Sequence, residues 1–409
     1  MLRAVLTLLA GGALAQALPL LLGPWLTRLY SPEAFGVYHL FAAVAANAAV
    51  VACARYEFAL PMARDEAEAT ALRALCLRLL AATVLISGAG AAGWAFWAGA
   101  IWPLWLPAAV GALGLVSLAT LNATRAQRFH GLAVARVVQH GGGALAQGLA
   151  GLLQAGVAGL IVAPIAAALA AIAALGWPGP ARASRAQWIA VARAHRSFPL
   201  LNTPHAFLGA LQDTLAVALV AGSLGPAAAG AWGLALRYLK APATLVGGAV
   251  SQALYPRLAA GGDTRAGCTT AGRALVLRTM LLLAALAAPL VIGLWLIGPM
   301  LFAWAFGPDW ADAGELARAL ALYIGLHFVA SPLGVVTMAW QAQAWALRLA
   351  LVGQGVFVGA LAGGLAWGGL QGAGWAVSGA MAVYFGWYFV RLATWPVMPP
   401  PSYGVGVVP

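Results

Sequence analysis

Charge is what this sequence has least of. Only 8 % of its 409 residues are Asp, Glu, Lys or Arg, and Lys240 is its single lysine. A soluble domain carries roughly 25 % charged residues, so a water-facing shell cannot be assembled from this chain. Cysteine is scarce as well. Cys53, Cys76 and Cys268 lack the spacing of a disulfide framework or a metal motif. They read as small apolar filler, with no metal and no cofactor implied. Alternating ten-residue strands, the mark of a membrane barrel, are missing, and no phosphate-cradling glycine loop follows a strand.

Long apolar runs are what the chain has in quantity. Uncharged stretches such as 79–110, 137–180 and 281–307 recur from end to end. About 20 residues at about 1.5 Å each cross a hydrocarbon core about 30 Å thick. With no water there to bond the backbone, helices are the default. The expected fold class is all-α: a polytopic membrane protein of about twelve helices, near 4–27, 35–61, 77–98, 102–121, 134–153, 156–177, 200–221, 227–255, 274–297, 313–339, 347–367 and 371–394. The start, "MLRAVLTLLAGGALAQA", looks like a secretory signal, yet the apolar run continues to Leu26. That is longer than a signal core, so a retained first helix is expected.

The basic residues set an orientation. Segments 62–78, 122–136, 178–199 and 257–278 hold fourteen arginines and fall on one side if the helices alternate. Arg3, Arg348 and Arg391 join them, whereas the opposite turns hold Arg28. Short loops rich in Lys and Arg stay cytoplasmic, so both termini are expected inside the inner membrane of a bacterium. The net charge of +12 is then accounted for by topology and anionic lipid, and nucleic-acid binding is not invoked. Trp94, Trp97, Trp102 and Trp105 bracket one outer turn, as interfacial anchors do.

One polar turn occurs twice. In "SPEAFGVY" and "GPAAAGAW", Pro32, Gly36 and Tyr38 match Pro226, Gly230 and Trp232 at a constant offset of 194, and Pro61 meets Pro256 with one residue of slack. Each copy lies between the first and second helix of a six-helix half. An even helix number gives both halves the same orientation, a parallel repeat. The expected domains are therefore two six-helix lobes, 1–199 and 200–409.

Several segments, in order, carry a family likeness: "LTRLYSPEAFGVY", "RYEFALPMARDEAEA", "LNATRAQRFHGLAVARVVQ", "FPLLNTP", "GGAVSQALYPRLA" and "FGPDWADAGELARALALYIGLHFVASPLG". Through them the chain resembles the bacterial O-antigen and capsule polysaccharide flippases of the multidrug/oligosaccharidyl-lipid/polysaccharide superfamily. The likeness weakens beyond about Trp340. It implies two lobes around a cavity that opens alternately inward and outward, and an undecaprenyl-pyrophosphate-linked oligosaccharide as cargo, moved from inner to outer leaflet. It also implies membrane lipid, a proton or sodium ion, and the polysaccharide polymerase machinery as partners. Two alternatives stand beside it: a cation-coupled multidrug exporter of the same superfamily, and a membrane-embedded glycan polymerase or ligase. The exporter would want intramembrane acids, which are few. The enzyme would want a sizeable outer loop, and the longest, 298–312, is short.

A lone charge at mid-bilayer costs about 2.5–3.5 kcal/mol on insertion scales, so intramembrane charges mark candidate sites. Arg237 and Lys240 share one helical face near mid-span. They either line a wet cavity that draws anions or pair with Asp213 of the preceding helix. Arg55 and Glu57, two apart, cannot face each other on a helix. They serve as interface anchors or as cavity lining. Arg28 is a solvated outer charge or a contact for a departing pyrophosphate. Asp309, Asp312 and Glu315 form an outer acidic cluster, in which Asp312 and Glu315 at a helix start complement the macrodipole or capture an ion. Gln16, Asn47 and Asn202 bridge helices or bond sugar hydroxyls. His205 and His327 are packing residues or proton carriers.

Overall fold

A proline after a serine is how the second helix begins. Ser31 accepts a hydrogen bond from the Ala34 N–H, Pro32 takes the first helical position and Glu33 the first turn. Each answers a need of a helix start: a cap for a free donor, a residue with no N–H to lose, and a negative charge at the positive end. The computed structural model describes residues 2–177, 182–261, 263 and 267–397. Within them no strand occurs, and the chain is helical almost throughout.

The helices run in chain order: α1 (Leu2–Leu29), α2 (Pro32–Val51), α3 (Glu66–Ala98), α4 (Leu106–Arg125), α5 (129–152, through a π turn at Val137–Gly142), α6 (Gly156–Leu175), α7 (Arg185–Ala194), α8 (Thr203–Leu224), α9 (Pro226–Ala260), α10 (Thr270–Phe306), α11 (Ala311–Ala339) and α12 (Gln343–Ala393). The last is two rods joined at Gly368 and Gly369, where Gly369 adopts φ 61°. With α12 counted as two and the short α7 set aside, the described residues hold twelve rods in the expected order. Eight helical stretches are long and apolar enough to cross a membrane by length and composition, and the chain is a multi-pass membrane protein.

Three expectations need correction. The second helix does not reach 61. It ends at Val51, Ala54 and Arg55 turn left-handed (φ 48° and 63°), and Tyr56–Met62 is a 3-10 segment. The segment 62–78 is mostly not a loop. Asp65 caps the Glu68 N–H at 2.7 Å, Glu66 and Glu68 occupy the first turn, and α3 starts about three turns early. Segment 178–199 contains α7, opened by a capping box in which Ser184 and Gln187 exchange bonds.

The described chain divides into two compact units, Met1–Gly230 and Ala231–Pro409. In the first, α1 lies against α5 through small residues. Gly141 faces Leu18, the Trp25 ring covers Gly148, and Leu29 and Tyr30 cover Gly151. Tyr30 Oη donates to the Gln147 carbonyl at 2.7 Å, fixing the register. The core gathers Phe41, Ala45, Leu60, Leu72, Leu75 and Val110 from α2, the 3-10 segment, α3 and α4. In the second unit, α11 is the most enclosed helix. Tyr323 packs on Phe357 and Phe385, Trp232 meets Phe357 edge-on, and Ser378 Oγ donates to the Ala319 carbonyl at 2.6 Å.

The repeated turn has a structural consequence. The two copies meet: a Cβ on Gly36 would collide with the Pro226 carbonyl oxygen, and one on Gly230 would collide with that of Pro32. The partners are reciprocal, glycine of one copy against proline of the other. Backbone on backbone leaves no side chain to move aside. Gly36→Ala and Gly230→Ala should therefore each lower stability by about 2–3 kcal/mol, as overpacking does. Gly88→Ala on α3, which meets nothing within 4 Å, should be neutral or slightly stabilising. Thermal unfolding in detergent checks all three.

Candidate functional site

Two polar clusters stand at one end of the first unit, both produced by the break after α2. The first is buried. Because the chain turns left-handed at Ala54 and Arg55, Glu57 swings inward to 2 % exposure instead of reaching an interface. Glu57 is thus no headgroup anchor. One carboxylate oxygen accepts from Ser117 Oγ of α4 at 3.5 Å, and Oε2 has no partner. Cys53 Sγ and Cys76 Sγ lie against it, all three ligand atoms being within 4.8 Å of one another. Cys53 donates to the Cys76 carbonyl at 3.7 Å. Arg55 stacks on the Phe58 ring at 4.3 Å, with its Nε buried and unpartnered. Burial pushes the Glu57 carboxyl above the usual carboxylate range; its own backbone N–H, the Arg55 charge and the Ser117 hydroxyl oppose that without cancelling it.

The second cluster is open. Glu66, Arg73, Asn122 and Arg125 line a cavity of about 630 Å³ together with Pro61, Ala63 and Ala126. Arg73 donates to Glu66 at 2.7 Å and to Asn122 Oδ1 at 3.2 Å. Arg125 bridges to the other oxygen of Glu66 and donates to the Asp65 carbonyl at 3.0 Å. The exposed carboxylate of Glu66 thus ties two guanidinium groups from α3 and α4. Beside it Glu68 accepts from the Arg64 N–H at 2.8 Å and meets His195 Nε2 at 3.0 Å, joining the α3 start to the end of α7. Tyr56 Oη reaches the Ala192 carbonyl on α7 at 3.1 Å. By sequence alone these arginines read only as topology signals. The signal that marks them is the acid pair Glu66 and Glu68 in a segment otherwise basic.

The remaining candidates are spread along the helices. Asn47 is buried and donates to Thr214 Oγ1 of α8 at 3.3 Å, a helix-bridging role in this structure. Gln16 and His205 are exposed, and Asn202 ends the π turn that precedes α8. Arg28 is exposed and donates to the Pro24 carbonyl at 3.0 Å. Asp213 is exposed on α8 in the first unit; Arg237 and Lys240 are half-buried on α9 in the second. His327 packs between the rings of Tyr323 and Phe385, at 5.8 and 6.4 Å. Asp312 lies in the first turn of α11, as expected, and Glu315 pairs with Arg318 at 3.1 Å. Gln147 is a buried bridge that sequence reasoning missed, donating to the Leu160 carbonyl at 2.9 Å.

Burial of the Glu57 carboxyl makes stability depend on pH. A native state holding its proton more tightly than the unfolded chain loses stability as pH rises from the unfolded value toward the native one. Glu57→Gln removes that loss. In chelator-containing buffer, the thermal midpoint of the Gln variant minus that of the wild type should be small near pH 4 and grow toward pH 7. A difference that shrinks over this range contradicts the burial argument.

Comparison with known proteins follows the same geometry. The chain is similar in fold to an inward-facing multidrug resistance MATE family transporter of the MOP superfamily, at 16 % identity and a TM-score of 0.69, covering 92 % of this chain and 94 % of that one. It is also similar to a mutant of the Vibrio cholerae MATE transporter VcmN, at 15 % identity and a TM-score of 0.51, covering 96 % and 95 %. No curated protein matches the sequence. Residues 25–315 match the family described as polysaccharide biosynthesis protein, a span that takes in most of the helices above, and the chain belongs to that family.

Proposed function

We propose that this protein is a flippase that carries an undecaprenyl-pyrophosphate-linked oligosaccharide from the inner to the outer leaflet of a bacterial inner membrane by alternating access. Family membership over residues 25–315 supports a role in polysaccharide biosynthesis, and the MATE-like fold supports transport. Moving a glycan headgroup through hydrocarbon unaided leaves each hydroxyl without a partner, at roughly 2–7 kcal/mol per group. A protein path that offers polar partners lowers that barrier while the polyprenyl tail stays in lipid.

The observation that carries the reading is the sign of the accessible charge. Two acids were expected within the membrane, and one of them, Glu57, is sealed away. Asp213 remains, against Arg28, Arg237 and Lys240, and the open cavity lined by Arg73, Arg125 and Glu66 keeps a positive balance. Such a balance suits a pyrophosphate and disfavours a cationic drug. The multidrug exporter is kept as a second reading because both similar folds belong to MATE transporters. It would need Asp213 as its acceptor. Arg237 and Lys240 are proposed to meet the anionic headgroup, Gln16 and Asn202 the sugar hydroxyls, and His205 or His327 a coupling proton. The two six-helix lobes, 1–199 and 200–409, are proposed as the moving parts.

Reconstitution tests this. In vesicles, a fluorescent undecaprenyl-pyrophosphate oligosaccharide should become accessible to an outer-leaflet quencher with the protein and not without it, and a cationic dye should not be moved. Arg237→Gln with Lys240→Gln should slow glycan translocation at least tenfold while leaving the protein folded in the bilayer. Undiminished translocation removes these residues from the path, and dye transport lost on Asp213→Asn favours the exporter. A reporter fused after Pro409 should be active only in its cytoplasm-dependent form; activity outside would break the twelve-helix topology.

A further inference from the structure

Three side chains that the sequence scatters are brought together by the break after α2, and the flippase reading does not use them. Cys53 comes from the turn just after α2, Glu57 from the 3-10 segment and Cys76 from α3. Each is buried, at 2 %, 2 % and 0 % exposure. Their ligand atoms all lie within 4.8 Å of one another. Ordinary core filler explains two thiols in contact. It does not explain a carboxylate driven in beside them with Oε2 left without a hydrogen bond, since a buried polar atom without a partner is costly.

We propose that Cys53, Cys76 and Glu57 form a binding site for a thiophilic d10 metal ion, with zinc as the leading occupant. Thiolate sulfur selects Zn²⁺, Cd²⁺ or Cu⁺ over the hard cations, which prefer all-oxygen sites. Tetrahedral zinc holds sulfur at about 2.3 Å and carboxylate oxygen at about 2.0–2.2 Å. Ligand atoms then stand roughly 3.5–3.8 Å apart by that geometry, so closing on the ion needs only a modest contraction of the triangle. Ser117 Oγ, 3.5 Å from the bonded carboxylate oxygen, supplies the outer hydrogen bond that orients this ligand.

Charge and protons balance. Zn²⁺ with two thiols and one carboxylic acid gives a complex of net charge −1 and releases three protons. The neighbouring Arg55, whose Nε is buried without an acceptor, offsets that charge. The ion would clip the end of α2 and the 3-10 segment to α3, holding the break in one conformation. Arg55 and Glu57 then act as parts of a structural clasp, apart from any cargo path.

The test uses the full-length protein, purified under reducing conditions, stripped with chelator and re-exposed to Zn²⁺ or Cd²⁺. One ion per chain should bind, Cd²⁺ should give thiolate-to-metal charge-transfer absorption in the ultraviolet, and the thermal midpoint should rise. Cys53→Ser with Cys76→Ser should abolish the absorption, Glu57→Gln should weaken binding at least tenfold, and Cys268→Ser should change neither. Should the double variant not fold, alkylation of the wild type answers instead: zinc should protect two of the three thiols. The proposal is overturned if binding is substoichiometric, survives the double serine change, leaves all thiols equally reactive, or if Cys53 and Cys76 emerge joined as a disulfide.

Discussion

Hydrocarbon offers no hydrogen bonds, and every feature of this chain is arranged around that lack. Backbone groups are answered within helices, and the few buried side-chain dipoles are answered across them. Tyr30 reaches the Gln147 carbonyl, Asn47 reaches Thr214, Ser251 reaches the Pro332 carbonyl and Ser378 reaches that of Ala319. Lipid supplies no hydrophobic force to press helices together, so association relies on close contact and on such bonds. The closely packed glycines are the other half of that solution. Gly36 against Pro226, Gly148 beneath Trp25 and Gly364 against Gly372 allow approaches that any side chain would block.

Between α2 and α3 the helix gives way to a left-handed turn and a 3-10 segment. Irregular backbone beside a span is tolerated where protein buries it, and Leu60 and Ala59 are fully buried there. The break does two things at once. It draws Glu57 inward onto two thiols, and it releases Asp65, Glu66 and Glu68 to open α3. Both clusters thus follow from the same left-handed pair, Ala54 and Arg55. One end of this unit is held by charge, where α3, α4 and α7 meet through Glu66, Arg73, Arg125, Glu68 and His195, while its apolar body is held by packing.

That division bears on the functional reading. Charges at the rim are solvated and individually worth little, and their value lies in what they present to a ligand. With Glu57 sealed away, cations outnumber acids among the candidate groups, and the proposed pyrophosphate cargo rests on that balance. Structural similarity to MATE transporters fixes the fold and leaves the cargo to chemistry. Fold and function are separable in this way because function resides in particular side chains carried on a shared scaffold.

What the sequence determined by itself was the class: helical, polytopic, about twelve rods, with a turn that occurs twice. These follow from composition and length, because the bilayer imposes one backbone solution and one span length on any chain of this character. The family likeness was legible for the same local reason, as runs of residues in order. Helix ends were less legible. Asp65 and Ser184 were present as caps, but apolar periodicity gave no reason to stop α2 at Val51 rather than carry it to residue 61. Only the tertiary structure decided that Gly36 would face Pro226, that Arg73 and Arg125 would share Glu66, and that Cys53 and Cys76 would close on Glu57. Several of those pairings join residues far apart in the chain, 59 positions for Arg125 and Glu66, and their distances are set by how helices cross, which no local pattern of side chains records.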